Sequence, residues 1–430
     1  MTTPSNQSIT TMNILLRAVT VYDKAGPHHL KTLDIRISDG VVQSIGNHLS
    51  QQEDEQVIEQ KGMCISPGWV DLHVDFADPG SEDREDIERG VAAAIAGGFT
   101  GAVLMPSTNP VIDYKAGVEY VRKSAEHLPF YLYPAGAVTK ARKGAELAEM
   151  FDMHRAGAIC FTDDWYGIAQ PERLKLALQY VQQFDAPIFV SPQEPSLVKG
   201  AQMHEGVYST QLGLKGMPVM AEVVQLERDL QLLRYSGGRL HVMGVSSAEA
   251  VNIIERAKEE GLSISADVNI ANLVATDADL MDYDAHYKFY PPLRSEADRL
   301  ALLEGLRKGV LDAVSSDHRP QLIETKACEF SNASFGSIGL ESCFGLLGTT
   351  GLPVETSVEA LSRLPRAILG VPDVHITEGQ LAQFTLFNPD ETWTFSNKAI
   401  QSKSRNTPFL GRSLKGRPMG IIVDDTMVTY

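Results

Sequence analysis

The chain has 430 residues, 43% of them hydrophobic, which is long enough for one large domain with a substantial core and a smaller companion. Its formal net charge of −17 argues against nucleic acid or an anionic membrane as the main partner, because both would repel it. No apolar run approaches the roughly 18 residues that a membrane-spanning helix needs.

The N-terminal segment, residues 1–12, is polar and has neither a basic start nor an apolar stretch. We therefore expect a disordered tail rather than a signal peptide. The four cysteines lie far apart and form no CxxC pair, which is typical of free thiols in a reducing compartment. A cytoplasmic protein is the expectation.

Residues 13–66 are predicted to form short strands with one buried face. Apolar and polar residues alternate over 33–38, which indicates a half-buried strand. Asp39-Gly40 then supplies a tight hairpin turn, and the next strand begins at Val41.

From residue 67 the pattern changes to alternating strands and helices. The first helix is predicted over 84–95, with a C-cap at Gly97-Gly98, and a strand follows over 101–105. The unit recurs, with strands over 158–161, 187–190, 239–245, 262–268 and 311–316 and helices over 172–184, 221–235, 248–260 and 296–308.

This alternation implies parallel strands joined by right-handed crossovers. Seven or eight such units over about 300 residues predict an α/β fold, a (β/α)8 TIM barrel spanning 67–375. An open doubly wound sheet is the less favoured alternative, because no glycine-rich phosphate-binding fingerprint follows the first barrel strand.

Strand character returns near the C-terminus. Predicted strands cover 383–387, 392–395 and 419–423, with a turn at 388–390, Asn-Pro-Asp. Since β-rich segments precede and follow the barrel, we expect 13–66 and 376–430 to pair into one small composite β-sandwich.

Seven motifs follow one another along the chain. They are PGWVDLHVD at 67–75, RGVAAAIAGGFTGAVLMPSTNP at 89–110, EGVYSTQLGLKGMPVMAE at 205–222, YPPLRSEADR at 290–299, DHRPQ at 317–321, GSIGLES at 336–342 and NTPFLG at 406–411. In sequence and order they resemble the motifs of dihydroorotases, within the cyclic amidohydrolases, where DHRPQ takes the place of DHAPH. The resemblance covers roughly residues 13–423 and implies the same barrel.

The resemblance also implies a chemistry. Opening a cyclic amide needs a strong nucleophile and a Lewis acid, and one or two zinc ions supply both because bound Zn²⁺ lowers the pKa of water to about 7. By resemblance, the ligands are an HxH pair on the first barrel strand, an acidic or modified residue midway, two later histidines and a final aspartate. That aspartate also shuttles the proton.

Part of this ligand set is present. His73 matches the first histidine of HxH, and Asp75 replaces the second. Asp163 and Asp164 both fall at the acidic position, and either is the ligand equivalent or a residue that shapes a loop. Asp317 matches the final aspartate and is interpreted as a vestigial catalytic residue. Because carboxylates bind zinc and harder ions, the expected cofactor is none or one divalent metal.

The other positions of the pattern are replaced. The later histidines fall on Ser191, where SPQE stands for H-x-E-D, and on Gly244, which has no side chain. The arginine that by resemblance holds the substrate carboxylate is Ala77. Two pocket asparagines are Ser107 and Tyr290, and the tyrosine ring is expected to enter the pocket. A two-metal site is therefore not expected.

The replacements favour a dihydroorotase-like protein that is catalytically impaired or inactive. By resemblance to inactive members of the family, it is expected to be a structural partner of aspartate carbamoyltransferase and a homo-oligomer. The alternative is an active cyclic amide hydrolase with one metal on His73, Asp75 and Asp317. A third interpretation is a module that binds a pyrimidine intermediate without turnover, although Ala77 argues against dihydroorotate itself.

Overall fold

The computed structural model describes residues 10–11 and 13–430. Most of the predicted tail, 1–9 and 12, lies outside the described residues, whereas Thr10–Thr11 pair with the C-terminal strand as a short β-strand. Within the described ranges, no helix is both long and apolar enough to cross a membrane.

The strands, in chain order, are β1 (Thr10–Thr11), β2 (Asn13–Val21), β3 (Thr32–Ser38), β4 (Val41–Gly46), β5 (Gln56–Glu59), β6 (Cys64–Pro67), β7 (Trp69–Val74), β8 (Phe99–Leu104), β9 (Tyr131–Gly136), β10 (Cys160–Thr162), β11 (Ile188–Val190), β12 (Met203–His204), β13 (Gly216–Met217), β14 (Leu240–Val242), β15 (Ile264–Asn269), β16 (Ala313–Ser315), β17 (Gln383–Thr394), β18 (Ser413–Val423) and β19 (Thr426–Thr429).

The α-helices are α1 (Ile87–Ala96), α2 (Lys115–Ala125), α3 (Met150–Ala156), α4 (Pro171–Val181), α5 (Pro195–Val198), α6 (Val207–Leu212), α7 (Val219–Ser236), α8 (Ala248–Glu259), α9 (Ile270–Val274), α10 (Glu296–Lys308), α11 (Ile323–Lys326), α12 (Cys343–Gly348), α13 (Val354–Leu361) and α14 (Arg363–Leu369).

The predicted barrel is confirmed. Strands β7 to β11 and β14 to β16 form one eight-stranded sheet in which neighbours run parallel. The sheet nearly closes on itself, because Val74 bridges His318 and the Asp75 N–H donates to the His318 carbonyl at 2.9 Å. The carboxyl ends of the strands consequently meet at one rim, where barrels of this kind carry their sites.

Strands from both ends of the chain share one sheet, as predicted. In the part that the structure describes, its order is β1-β19-β18-β17-β6-β2-β3-β4, with β5 paired to β2. The antiparallel pair of β17 and β6 joins the two ends. The hairpin between β3 and β4 turns at Asp39 and Gly40, whose φ angles of 49° and 71° give the two left-handed residues that a tight hairpin requires.

One predicted turn is wrong. Residues 388–390 do not reverse the chain but lie within the continuous strand β17, which changes register against β18 between Asn388 and Thr392. The local turn residues therefore form an irregularity in a long antiparallel pair. Long-range pairing overrides the short-range signal here.

Helix boundaries follow their caps. Helix α10 covers the predicted 296–308, because the Ser295 side chain caps its first turn and Gly309, at φ 73°, ends it. Helix α1 begins later than predicted, since Asp86 accepts a hydrogen bond from the Arg89 N–H at 2.7 Å. Most of the hydrophobic core lies between the barrel and these outer helices.

A candidate site at the barrel mouth

The rim of the barrel gathers the residues that the sequence singled out. They are His73 on β7, Asp75 just beyond it, Asp163 and Asp164 after β10, Ser191 after β11, Gly244 after β14 and Asp317 after β16. Each of the ionisable ones among them is at most 6% exposed. Buried charges of this kind need partners, so their contacts decide what the site can do.

His73 lies between two carboxylates. Its Nε2 is 3.2 Å from the Asp267 Oδ1, and its Nδ1 is 3.5 Å from the Asp317 Oδ1. Burial alone lowers the pKa of His73, but the two carboxylates outweigh it and raise that pKa to about 10. Both ring nitrogens therefore face protein acceptors.

Asp267, on β15, is a site residue that the sequence interpretation missed. It is fully buried and accepts hydrogen bonds from the His241 Nε2 at 2.9 Å and the Gly244 N–H at 2.7 Å. Burial raises its pKa, yet the charges of His73 and His241 hold it well below its usual range. The available signal was an aspartate inside a predicted barrel strand, which requires a buried partner.

Arg319 is the second residue that the sequence interpretation missed. Its Nη1 and Nη2 donate to the two carboxylate oxygens of Asp164 at 2.9 and 2.6 Å, and its Nε donates to the Asp317 Oδ1 at 2.9 Å. Burial lowers the pKa of Arg319, but Asp164 and Asp317 more than reverse this and keep it charged. The signal was present in DHRPQ, because the family pattern has alanine at this position.

The two adjacent aspartates after β10 have different roles. Asp163 points away from the mouth and accepts from the Val138 and Thr139 N–H groups at 3.0 and 2.9 Å and from the Thr139 hydroxyl. Burial raises its pKa despite these bonds. Asp164 faces the mouth; burial raises its pKa, but Arg319 and Arg142 bring it below its usual range. Asp163 shapes a loop, and Asp164 belongs to the mouth.

Asp75 contacts Ala77 and Arg84 and also lines the cavity above the rim. Its Oδ1 accepts from the Ala77 N–H at 2.8 Å, and its Oδ2 is 3.4 Å from the Arg84 Nη2. Ala77 has a φ of 57° and is 1% exposed, and it does not line the cavity above the rim. The position that by resemblance holds an anion is thus filled by a buried methyl group.

At Gly244, one of the two lost histidine positions, a larger side chain has little room. A Cβ at Gly244 would lie 3.2 Å from the Pro291 Cδ and 3.3 Å from the Asn269 side chain, and its φ is 60°. Ser191 is 3% exposed at the end of β11. The ring of Tyr290 lines the cavity as expected, at 5.3 Å from Trp165 between ring centres.

The donor set does not fit the zinc ion that the family chemistry implies. Both nitrogens of His73 face carboxylates, and both oxygens of Asp164 are bonded to Arg319. Asp317 accepts from Arg319 and from the Asn269 Nδ2 at 3.2 Å. Across residues 10–11 and 13–430, no three or more His, Cys, Asp or Glu side chains are arranged to hold a metal.

Above the rim lies a cavity of about 620 Å³. Its wall combines aromatic rings, basic groups and two of the site carboxylates. The aromatic ones are Trp165, Tyr166, Tyr290 and Phe335, and the basic ones are Arg84, Arg142, Lys199 and Arg319. The mouth is therefore open to a small molecule, although its deepest layer is closed by ion pairs.

A second buried polar cluster supports the barrel beside the mouth. Arg294 donates from Nε to the Ser246 hydroxyl at 2.8 Å and from Nη1 to the Met217 carbonyl at 3.0 Å, and it contacts the His204 Nδ1 at 3.1 Å. Glu222 accepts from the Ser246 N–H and hydroxyl, each at 2.8 Å. These residues join segments that are far apart in sequence.

Solved structures define the class of the fold. An L-hydantoinase (dihydropyrimidinase) from Arthrobacter aurescens superimposes with a TM-score of 0.85 at 23% identity, covering 97% of this chain and 96% of that one. A D-hydantoinase (dihydropyrimidinase) from Thermus sp. gives 0.80 at 19% identity, covering 96% and 94%. Identities this low establish the fold alone, a TIM barrel with a composite β-domain.

Sequence relatives narrow this class to a family. The model of the family described as "Dihydro-orotase-like" matches residues 62–250. A dihydroorotase from Syntrophotalea carbinolica is 39% identical over 97% of this chain and 99% of its own length. One from Pelotomaculum thermopropionicum is 37% identical over 97% and 98%. The chain belongs to the dihydroorotase family.

Proposed function

We propose that this chain is a dihydroorotase-family protein of pyrimidine biosynthesis whose barrel is catalytically impaired or inactive. The observation that carries the proposal is the guanidinium of Arg319, bonded to both Asp164 and Asp317. An arginine at the alanine position of DHAPH neutralises, from within the protein, carboxylates that a metal ion would otherwise balance. The guanidinium of Arg319 thus neutralises the buried carboxylates of the site.

The contacts of Asp317 support the same proposal. A general base must direct an oxygen at the proton that it removes. Here the Asp317 carboxylate accepts from Arg319 at 2.9 Å and from Asn269 at 3.2 Å, and it neighbours His73 at 3.5 Å. All of these partners are protein side chains at the rim of the barrel. The carboxylate oxygens are therefore bonded within the protein and are not free to accept a proton from a molecule in the cavity.

The assay is the interconversion of dihydroorotate and carbamoyl-aspartate, run with and without added Zn²⁺. The dihydroorotase of Syntrophotalea carbinolica, prepared in parallel, controls for the assay itself. We expect no turnover above background from this chain in either buffer. Turnover at ordinary enzymatic rates, with a kcat of about 1 s⁻¹ or more, contradicts the proposal.

We further propose that the barrel serves as a structural partner of aspartate carbamoyltransferase, in a homo-oligomer. Supporting it is the contrast between a mouth with replaced residues and a scaffold that keeps the buried cluster in which Arg294 bonds Ser246 and lies 3.6 Å from Glu222. The test mixes the purified full chain with the transferase from the same organism and measures mass by light scattering after gel filtration. A complex is expected, and two separate peaks at micromolar concentrations rule out the partnership.

An active hydrolase with one divalent metal such as zinc is the second candidate. It is favoured by His73 and Asp317, which match the family pattern and lie side by side at the rim. Elemental analysis of the purified protein separates the two. About one tightly bound metal ion per chain supports the hydrolase, and a metal-free chain with no turnover on added Zn²⁺ supports the inactive barrel.

A further inference from the structure

The C-terminal part of the chain forms a basic surface on an acidic protein. We call residues 392–417 the basic ribbon; they comprise the end of β17, the start of β18 and the loop between the two strands. We propose that the basic ribbon is a docking surface for an acidic segment of a partner protein, with Leu410 as an apolar contact. This inference does not depend on whether the barrel turns over dihydroorotate.

The separation of charge along the sequence is the first observation. Between Thr392 and Val423 there are six lysines and arginines and no aspartate or glutamate, although the whole chain has 55 acidic and 38 basic residues. A basic surface on a chain of net charge −17 attracts groups of opposite charge locally. The six residues are Lys398, Lys403, Arg405, Arg412, Lys415 and Arg417.

The fold directs part of this charge outward. Successive residues of β18 alternate between exposed and buried from Ser413 to Pro418, so Lys415 and Arg417 share one exposed face with Ser413. The opposite face of the strand packs against α12. The ribbon is therefore fixed to the barrel on one side and presents its cations to solvent on the other.

Hydrogen bonds hold the loop of the ribbon in one shape. The Phe395 N–H donates to the Arg412 carbonyl at 3.0 Å, and the Gly411 N–H donates to the Phe395 carbonyl at 2.7 Å, which closes the loop at its base. The Arg405 Nη1 donates to two carbonyls within the loop, each at 3.0 Å. A surface that is ordered before binding loses less conformational entropy when a partner docks.

Half of the basic side chains of the ribbon have no acidic partner. Within the described part of the chain, Lys398, Arg405 and Arg412 enter no ion pair, whereas the other three form pairs near the surface. Pairs of that kind contribute little to stability and are screened by salt. The positive charge of the ribbon is therefore only partly compensated. The three pairs are Lys403 with Asp86, Lys415 with Asp390 and Arg417 with Glu391.

A cleft of about 260 Å³ beside the ribbon has room for a carboxylate side chain. Arg412 and Ser413 line it from the ribbon, and Arg299 lines it from α10. Arg299 is balanced by two bonds of 2.6 Å to Glu296. The Arg412 guanidinium makes a single long hydrogen bond to the described chain, 3.5 Å to the Val274 carbonyl. Since a guanidinium has five N–H donors, Arg412 keeps donors for a partner.

Leu410 adds an apolar contact to this charged surface. Its side chain is 43% exposed, although the preceding Phe409 is buried. Protein interfaces combine apolar contacts, which add affinity, with charges, which set orientation and association rate. A phosphate ion or a sugar–phosphate backbone makes no use of an exposed leucine. The combination therefore favours a protein segment as the occupant.

The experiment is fluorescence anisotropy of a labelled acidic peptide titrated with the full chain. Glutamates and aspartates flank leucines in this peptide, and the control peptide has glutamine and asparagine at the acidic positions. We expect the acidic peptide to bind at least about tenfold more tightly than the amide peptide, and to lose about tenfold in affinity between roughly 50 and 500 mM salt. No binding of the acidic peptide, or equal binding of the amide peptide, overturns the proposal.

Other anions are tested in the same way. A labelled single-stranded oligonucleotide is titrated with the chain, and inorganic phosphate is added as a competitor at constant ionic strength. The oligonucleotide should bind more weakly than the acidic peptide, and phosphate should not displace that peptide. Tighter binding of the oligonucleotide, or displacement by phosphate, overturns the assignment of a protein segment.

Two double charge reversals locate the surface. Lys398→Glu with Lys415→Glu changes the ribbon, and we expect it to weaken binding of the acidic peptide by about tenfold or more and to reduce the salt dependence. Lys123→Glu with Arg155→Glu makes the same change in net charge at exposed positions on α2 and α3, and should leave binding within about twofold of the parent. Equal losses in the two double variants assign the binding to overall charge and overturn the proposal.

Leu410→Ser tests the apolar contact separately. We expect it to weaken binding of the acidic peptide by about threefold to tenfold and to leave the salt dependence unchanged, because it removes apolar area and no charge. All of the substituted positions are exposed, so the variants should unfold at the temperature of the parent. An unchanged affinity of Leu410→Ser for the peptide overturns the role of Leu410.

Discussion

Arg294 and Arg319 are both buried arginines that face carboxylates in the same barrel. They differ in whether the family pattern has an arginine at that position, and in whether the neighbouring carboxylates outweigh the effect of burial on the pKa. Arg294 lies in YPPLRSEADR, a motif shared with the dihydroorotase pattern, whereas Arg319 replaces an alanine of that pattern. Burial lowers the pKa of Arg294, and Glu222, at 3.6 Å, only partly offsets it. The pKa of Arg319 is raised instead. One arginine joins segments of the scaffold, and the other compensates carboxylates.

The largest expected effect comes from removing the compensating arginine. Arg319→Ala leaves Asp164 and Asp317 buried without their cation, and we expect it to lower the free energy of unfolding by about 3–5 kcal/mol in EDTA. Since carboxylates bind hard divalent cations, Mn²⁺ should restore part of this stability. Urea unfolding of the variant and the parent, each with Mn²⁺ or EDTA, measures both effects. A loss below 1 kcal/mol, or no response to Mn²⁺, contradicts this account.

Arg294→Ala is the matched variant in the retained cluster. It removes the bonds to Ser246 and Met217 and leaves Glu222 without its cation, so we expect a loss of about 3 kcal/mol. Glu222 still accepts two hydrogen bonds from Ser246, so we expect Mn²⁺ to have no effect. The same urea series measures it. Equal rescue of both variants by Mn²⁺ would remove the distinction between the two arginines.

The retained cluster should also be sensitive to acid. Burial, with a contribution from Arg294, lowers the pKa of His204 to about 4. In the unfolded chain the pKa of His204 is near 6.5, so below that pH the unfolded chain binds more protons than the folded one. The free energy of unfolding therefore falls by about 2 kcal/mol as the pH is lowered from 6.5 toward 4. His204→Asn should flatten this part of the stability profile between pH 7 and 4. If the free energy of unfolding of the variant falls with pH as steeply as that of the parent, residues other than His204 cause the acid sensitivity.

The smallest effect separates the two adjacent aspartates. Because burial raises the pKa of Asp163, replacing it with a neutral amide should cost little, about 1 kcal/mol or less for Asp163→Asn. Asp164→Asn should cost more, since it breaks a two-pronged ion pair with Arg319. Parallel thermal unfolding of the two variants measures the order. A larger loss in Asp163→Asn reverses the assignment of roles.

Much of the fold could be read from local signals. Helix α10 was predicted over its full length because Ser295 and Gly309 are strong caps, and the hairpin at Asp39-Gly40 needed only two residues that accept positive φ. The turn at 388–390 failed because the chain on both sides of it pairs with β18, which begins more than twenty positions later. The turn preference of a few residues is overridden where a long neighbouring strand supplies partners for the backbone N–H and C=O groups on both sides of them.

The site was predicted in position but not in detail. The motifs placed His73, Asp164 and Asp317 at one rim, because parallel strands end together. The contacts of Asp267 with His73 and of Arg319 with Asp164 join residues more than 150 positions apart, and no spacing in the sequence encodes them. The choice between Asp163 and Asp164 likewise depended on backbone direction, since Asp164 alone of the two has a positive φ, 57°.

The pairing of β17 with β6 has a consequence for how the chain is made. The two strands are antiparallel neighbours although Phe384 follows its partner Pro67 by more than 300 positions. The small β-domain therefore cannot be completed on the ribosome until the last strands have emerged, while the barrel between them can already fold. Until then β6 presents an unpaired edge that can associate with other chains. Translation that stops before residue 383 should yield insoluble product.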